Sequence, residues 1–426
     1  MLKLNQTVHL ELNIQSENVD VNDLIELNRK INKAITPKLF YQQFEEIQRF
    51  ELDKVLGKRW LPQQSRAAPW ECPRCRSKYG FSKRGKRERY LKTSIGKLKI
   101  PLLQITCHDC GKTFSPFIRI FRIPYRKSLS RELEQKIIKN VIELSYNKSS
   151  INIDDLLGIS VSKQTIHRVV QRYGTESEIL RTDEPIKQLQ VDSTKVNAKD
   201  NERGINAHIA LSIGTRTKKG KRTYVSKELV EIEVNEQPRR IKKLLKKHPV
   251  ELLIVDGHSG LESFIKKQNL NINVQRCLWH LPRTLSHSLY LDGLPLNQRK
   301  FWAKSFMPII YDDIDLEQRI KKYDDFSITL NQQGFYHAYQ YIINAKIESF
   351  TYFKIPVEKR EDKTTSIVER QMREIKRRFK NGSRWSKHGI ENLIKLKLIY
   401  LFSKNSWDYL WKLKPNPIKN HSFILC

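Results

Sequence analysis

The pattern of hydrophobic and polar positions predicts a mixed sheet in the middle of the chain. Apolar residues alternate with polar ones in a first strand-like run, and two more β-rich runs follow, at residues 188–196, 205–215 and 222–234. The spacing then changes to helix, strand, helix and strand, at residues 239–247, 250–255, 261–267 and 274–280. This order predicts an α/β fold in which helices pack on one mixed sheet.

Two of these strands carry an aspartate among apolar residues. Asp192 lies inside the first strand, and Asp256 follows the fourth at an Asp-Gly turn. A carboxylate inside a strand is costly unless it is paired or binds a metal. If the two strands are neighbours, both carboxylates enter one space and can hold divalent metal for phosphoryl chemistry. The alternative is a capped strand-to-helix turn at Asp256 and an edge-strand aspartate at Asp192.

Four of the six cysteines form two Cys-x-x-Cys pairs. The pairs are made by Cys72, Cys75, Cys107 and Cys110. In a reducing compartment such pairs indicate a metal site rather than disulfides, and the segment between them reads as a β-hairpin. Residues 69–120 are therefore predicted to form a zinc ribbon with four thiolates on one Zn²⁺. The alternative is reduced cysteines buried as small hydrophobes. Residues 1–68 before them read as helical and charged.

Residues 128–176 have the spacing of a helix-turn-helix unit. A short turn between Gly158 and Ser162 separates two helical segments, and Ser162 is suited to cap the second. The exposed face of that helix is predicted to contact DNA bases and phosphates through Lys163, Gln164, His167, Arg168 and Arg172. The alternative is an ordinary helical hairpin packed on its neighbours.

The C-terminal half carries a third carboxylate. A helical, aromatic segment at about 282–355 reads as an insertion, and a later helix contains Glu369. An arginine stripe at i, i+3 and i+7 shares one face of that helix, at Arg370, Arg373 and Arg377. A carboxylate beside such a stripe can serve both metal and DNA phosphates. The alternative is a solvent-exposed basic helix in which Glu369 only pairs with Arg373. Residues 404–426 form a tail.

The charge of the chain favours nucleic acid as its partner. The 426 residues include 79 Lys and Arg against 46 Asp and Glu, a net charge of +33, spread throughout the sequence. A solvated basic surface without a partner is the alternative. No apolar run approaches the roughly 18 residues of a spanning helix, and the first 20 residues lack the apolar core of a signal peptide. These features predict a cytosolic protein that acts on DNA.

In this order the elements resemble the DDE transposases of bacterial insertion sequences, most closely the mutator-type group. The matching positions are Asp192, Asp256, Glu369 and the Cys-x-x-His pair Cys277 and His280. The resemblance covers roughly residues 187–401 and is joined by the upstream ribbon and helix-turn-helix. It implies an α/β ribonuclease H-like catalytic core over residues 186–403, with the helical insertion inside it.

The resemblance also implies a mechanism. The three carboxylates would hold two Mg²⁺ or Mn²⁺ ions for strand cleavage and strand transfer on terminal inverted repeats and target DNA. Such an enzyme would act as a homodimer or higher oligomer in the cytoplasm, on nucleoid DNA. Cys277 and His280 would have a structural or DNA-positioning role, and His258 would contact the scissile phosphate or pack in its turn. The rivals are a non-catalytic zinc-dependent DNA-binding protein derived from a transposase, and a nuclease that cuts without joining.

Overall fold

The computed structural model describes residues 21–56, 67–121, 123, 127–181, 184–199, 201–219, 222–257, 259–355, 364–379 and 385–412. These residues divide into two compact units. One contains the residues up to Val170 together with those from Trp411, and the other runs from Gln171 to Leu410.

The first unit is a small antiparallel sheet with helices. Its elements are α1 (Val21–Leu56), β1 (Phe81–Thr93), β2 (Gly96–Cys107), β3 (Thr113–Phe114), α2 (Phe117–Ile120), α3 (Arg131–Val141), α4 (Tyr146–Leu157) and the first half of α5 (Lys163–Glu176). The strands lie in the order β1-β2-β3. Gln48 of α1 is buried, and its amide donates to the carbonyl of Pro101 at 2.6 Å and accepts from the N–H of Leu103 at 2.9 Å. Because both ends of this amide are satisfied, it fixes α1 on β2.

Capping side chains begin the three helices that follow the sheet. Ser130 accepts a hydrogen bond from the N–H of Leu133 at the start of α3, and Ser145 accepts one from Lys148 at the start of α4. Ser162 accepts one from the N–H of Thr165 at 3.3 Å in the first turn of α5. Each cap satisfies an otherwise unpaired donor and contributes about 1 kcal/mol. Helices α4 and α5 are thus separated by a short turn where the sequence predicts one.

The second unit is built on a five-stranded sheet. Its strands are β4 (Ile186–Ala198), β5 (Asn201–Lys219), β6 (Arg222–Val234), β7 (Val250–Val255) and β8 (Asn273–Arg276). They lie in the order β6-β5-β4-β7-β8; the β6–β5 and β5–β4 pairs are antiparallel, and the β4–β7 and β7–β8 pairs are parallel. The prediction of a mixed α/β sheet is confirmed.

Helices cover both faces of this sheet. The helices that follow the strands are α6 (Arg239–Lys247), α7 (Ser259–Lys267), α8 (His280–Leu291), α9 (Leu296–Tyr311), α10 (Leu316–Gln332), α11 (Tyr336–Ser349), α12 (Thr351–Lys354), α13 (Ser366–Phe379), α14 (Lys387–Phe402) and α15 (Lys404–Trp411). Leu189 and Val191 of β4 pack against Ile241 of α6 and Leu261 of α7, all of them buried. Each such side chain contributes about 1.5–3 kcal/mol by burial. Since side chains alternate along a strand, Asp192 faces the opposite side, where α13 packs on β4.

Helices α8 to α12 form the predicted helical segment and have a hydrophobic core of their own. The ring of Tyr323 lies edge-to-face against Phe306 and Phe350, at centroid distances of 5.6 and 5.0 Å. Most of its large aromatic side chains are buried in this core or packed against it, whereas Tyr290, Phe301 and Tyr336 are exposed. This segment therefore folds around its own aromatic cluster.

Candidate active site and metal centre

The two aspartates lie at the same height on adjacent parallel strands. In the register of β4 and β7, Gln190 is opposite Ile254 and Val191 is opposite Val255, so the next residues are Asp192 and Asp256. Neighbouring strands are only about 4.8 Å apart. Gly257, at φ +91°, allows the chain to turn away directly after Asp256.

The central position of β4 decides between the two interpretations of Asp192. It has β5 on one side and β7 on the other, so Asp192 is not on an edge strand. Its side chain is buried. Burial, followed by the charge of Asp256, raises the pKa of Asp192 to about 7, and Glu369 acts in the same direction. The N–H of Ser193, which donates to Asp192 Oδ1 at 2.7 Å, and the nearby His280 oppose this shift.

Glu369 lies near the two aspartates, in the first turn of α13, and Asp192, Asp256 and Glu369 together form the acidic group. The partner of Glu369 is Arg283 of α8, whose Nη1 is 3.5 Å from Glu369 Oε1. Glu369 therefore does not pair with Arg373, as the alternative from the sequence proposed. Among the described residues, only the four cysteines form a group of three or more candidate ligands with all ligand atoms within 4.8 Å of one another. The three carboxylates stand further apart, as repulsion between like charges favours.

The Cys-x-x-His pair joins the end of β8 to the start of α13. Cys277 follows Arg276, the β8 partner of Val255, and its sulfur accepts a hydrogen bond from the N–H of Thr365 at 3.2 Å. Burial would raise the pKa of Cys277, but hydrogen bonds from His280 and Thr365 lower it. The hydrogen bond to Cys277 raises the pKa of His280, and the carboxylates of the two aspartates add to this effect. Cys277 thus anchors the helix that carries Glu369, and His280 faces the acidic group.

His258, for which both a phosphate contact and packing in its turn were expected, lies outside the described residues. A cavity of about 320 Å³ lies elsewhere in this unit and is lined in part by Arg181, Ile186, Gly214 and His248. Since Ile186 begins β4, the cavity lies toward the end of the sheet away from the acidic group. The acidic group itself does not line that cavity.

The four cysteines come together in the first unit through two turns of matching geometry. Arg76 donates its N–H to the carbonyl of Cys72 at 3.0 Å, and Gly111 donates its N–H to that of Cys107 at 2.8 Å. Both donors have left-handed backbones, with φ values of 61° and 67°. A non-glycine residue rarely adopts this conformation, so Arg76 indicates that the turn is tightly constrained.

The sulfur positions fit a tetrahedral metal. Cys72 Sγ is 3.5 Å from Cys110 Sγ, and Cys75 Sγ is 3.6 Å from Cys107 Sγ. Zn–S bonds of about 2.3 Å place sulfurs about 3.8 Å apart in a tetrahedron. Although burial opposes it, hydrogen bonds from the amides of Cys75 and Arg74 lower the pKa of Cys72 to about 7, whereas burial raises the pKa of Cys107 to about 12. Because Cys75 is exposed, the cysteines are not simply buried hydrophobes.

The predicted DNA-contacting side chains lie mostly at the surface. On α5 the exposed ones are Lys163, Gln164, His167 and Arg168. Arg172 departs from the expectation: it is half-buried, with its guanidinium 4.7 Å from the ring centroid of Tyr173. On α13 the three arginines are exposed, and these are Arg370, Arg373 and Arg377.

Sequence reasoning missed Arg283. Its signal is its position one helical turn after His280, which places both side chains on one face of α8. It also missed the hydrogen bond from Thr365 to Cys277, which joins residues 88 positions apart. Among the helices that the structure describes, none is long and apolar enough to cross a membrane.

Comparisons with known proteins identify the family. The family model for transposases of the mutator family matches residues 68–403. The chain is 24% identical over 314 residues to the transposase for insertion sequence element IS256 in transposon Tn4001, from Staphylococcus aureus and from Enterococcus faecalis. These matches cover 69% of this chain and 74% of each relative.

Similarity to solved structures is weak. The Drosophila P element transposase strand transfer complex aligns with a TM-score of 0.25 and 12% identity, over 68% of this chain and 83% of that one. The simian T-cell lymphotropic virus intasome in complex with PP2A regulatory subunit B56 gamma aligns with a TM-score of 0.14 and 12% identity, over 42% and 69%. Neither value establishes a shared fold. The family model, by contrast, spans both aspartates, Glu369 and all four clustered cysteines, and this chain belongs to the mutator family of transposases of bacterial insertion sequences.

Proposed function

We propose that this transposase cleaves and transfers DNA strands by two-metal catalysis, in a ribonuclease H-like core, with Asp192, Asp256 and Glu369 as metal ligands. The observation that carries the proposal is the matching register of the two aspartates on adjacent parallel strands, with Glu369 close enough to raise the pKa of Asp192. Three antiparallel strands followed by two parallel ones, with the first strand central, support the ribonuclease H-like assignment.

The acidic group has the composition of a magnesium or manganese site. Carboxylate oxygens are the ligands that these hard cations prefer, and the mutual repulsion of the three carboxylates favours a cation between them. The chemistry that two such ions supply is activation of the attacking oxygen and stabilisation of the leaving oxygen. The protein positions the carboxylates that would bind these ions. Burial fixes Asp192, and the hydrogen bond from the N–H of Thr365 to Cys277 holds the start of α13, which carries Glu369.

The upstream elements support binding to element ends. We propose residues 69–120 as a zinc ribbon held by its four cysteines, residues 128–176 as the helix-turn-helix unit, and residues 186–403 as the catalytic domain with its insertion at about 282–355. The exposed basic face of α5 and the net charge of +33 suit terminal inverted repeats and target DNA. Because an element has two ends, we propose at least a dimer, acting in the cytoplasm on nucleoid DNA.

Removing two positive charges from α5 tests whether this helix binds the element end. Lys163→Ala combined with Arg168→Ala is expected to weaken binding to the element end by about 1–3 kcal/mol per lost contact. Each lost phosphate contact should also reduce the slope of log affinity against log salt by about 0.9. Fluorescence anisotropy at several salt concentrations measures both quantities. Lys300→Ala combined with Lys304→Ala, which removes two exposed positive charges from α9, is the control. Unchanged affinity and slope in the α5 variant would remove α5 from the interface.

Strand cleavage on the DNA that flanks this reading frame tests the function itself. With Mg²⁺ or Mn²⁺ the wild-type protein is expected to produce 3′-hydroxyl ends and, from pre-cut ends, joined products. Cleavage without joining would indicate a nuclease. Tight binding without cleavage would indicate a DNA-binding protein derived from a transposase.

A further inference from the structure

Arg283 is an exposed cation beside the acidic group. It has no role in the two-metal catalysis proposed for the three carboxylates. It lies on α8, one turn after His280, which faces Asp192 and Asp256. Its side chain is 61% exposed, and that of Glu369 is 23% exposed. Within the described residues, Glu369 is the carboxylate at ion-pair distance from it. Arg283 therefore stands at the mouth of the proposed metal site.

The same unit contains a second arginine–carboxylate pair, which is buried and structural. Arg276 and Glu262 form two hydrogen bonds, from Nε to Oε1 at 3.1 Å and from Nη2 to Oε2 at 2.7 Å. Their side chains are only 12% and 8% exposed. The contact between Arg283 and Glu369 is single, longer and solvent-accessible, and such a pair adds little to stability. It is the kind of contact that can be exchanged at low cost.

A divalent ion bound to Glu369 repels the nearby guanidinium and competes with it for the charge of the same carboxylate. The contact with Arg283 is therefore weakened when Glu369 becomes a metal ligand, and the guanidinium becomes available to another anion. The guanidinium then carries five N–H donors in a planar fork, which matches the geometry of a phosphate group. A DNA phosphate is the anion that the substrate of this enzyme brings to the same place.

We propose that Arg283 exchanges between Glu369 and a backbone phosphate of the DNA substrate. In the metal-free protein it pairs with Glu369 and offsets part of the negative charge of the acidic group. Once Glu369 is a metal ligand, Arg283 binds the phosphate at the active centre. The inference rests on the proposed function, because it requires Glu369 to bind metal.

The exchange predicts opposite effects of one substitution on metal binding and on cleavage. Arg283→Gln removes the cation that competes for Glu369, so Mn²⁺ should bind the DNA-free protein about two- to fivefold more tightly, the size of an exposed ion pair. At saturating Mn²⁺ the same variant should cleave about 10- to 100-fold more slowly, because a charge-assisted hydrogen bond to phosphate is lost. Arg283→Lys, which keeps the charge but not the fork, should fall between wild type and Arg283→Gln in both measurements.

Isothermal titration calorimetry of the full-length, zinc-loaded protein measures the first effect, and single-turnover cleavage measures the second. Asp192→Asn defines which Mn²⁺ binding belongs to the active centre. Lys300→Gln, which removes one exposed positive charge on α9, should change neither quantity.

The outcomes separate this inference from the proposed function. If Asp192→Asn loses Mn²⁺ while Arg283→Gln binds it no more tightly than wild type, the exchange is wrong and the metal site stands. If Arg283→Gln binds Mn²⁺ more tightly but cleaves normally, Arg283 does not bind the phosphate, and the exchange is likewise wrong. If Asp192→Asn binds Mn²⁺ as wild type does, the metal site itself fails, and the exchange fails with it.

Discussion

Asp192→Asn is expected to abolish metal-dependent strand cleavage, lowering the rate at least about a thousandfold, while affinity for the element end stays within about twofold. The amide keeps the shape of the carboxylate and can still accept the hydrogen bond from the N–H of Ser193. It removes the negative charge that a divalent ion needs, and such ions contribute several kcal/mol to the transition state, with each 1.36 kcal/mol worth about a factor of ten.

The same loss is expected from Asp256→Asn and Glu369→Gln. Glu374→Gln is the matched control, because Glu374 lies on the same helix but pairs with Arg377. Gel-based cleavage and a parallel binding assay measure the two quantities. Equal loss of cleavage and binding in Glu369→Gln would mean that Glu369 is structural.

Asp192→Asn, which is expected to abolish cleavage, is also expected to raise the stability of the folded protein at high pH. The pKa of Asp192 is about 7 in the folded chain and about 3.9 when unfolded. Asp192 therefore binds more protons in the folded chain between these values, so its contribution to the stability of the protein without added divalent ions falls as pH rises from about 4 to about 7. Asp192→Asn avoids this cost and should be more stable than wild type at pH 8, by on the order of a few kcal/mol. Thermal melts at pH 4 and pH 8 check this, and a variant less stable than wild type at pH 8 would contradict it.

Cys107→Ser is expected to release zinc and unfold the ribbon, with loss of specific binding to the element end. Cys107 is buried in a hydrophobic cluster that the ribbon shares with α1. Structural zinc supplies about 10–16 kcal/mol of apparent binding energy in isolated zinc-finger peptides, so loss of the metal is expected to outweigh this shared core. Mass spectrometry gives the zinc content, and limited proteolysis reports the folding of residues 69–120.

A serine substitution at the remaining described cysteine provides the control. Cys277→Ser should retain one zinc per chain, because Cys277 lies in the other unit beside Thr365. Retention of zinc and of a protected ribbon by Cys107→Ser would contradict the four-cysteine site. Absence of zinc from the wild-type protein would contradict it as well.

Local patterns in the sequence determined the elements of this protein and the candidate residues on them. A period of two predicted β4, β-rich runs predicted β5 and β6, and an apolar run predicted β7. Helical spacing predicted α6 and α13, and two Cys-x-x-Cys pairs predicted the cysteine cluster. These predictions succeed because each depends on residues within one turn, one strand or one pair of turns. The four-residue spacing along α5 likewise placed Gln164 and Arg168 on one exposed face.

Only the tertiary structure decided which elements meet. The pairing of β4 with β7 brings Asp192 level with Asp256, and the packing of α8 near α13 brings Arg283 to Glu369. Periodicity within one segment carries no information about its partner across the sheet, because that choice depends on the packing of the whole domain. The carboxylates were readable from the sequence, but the cation that faces them was not.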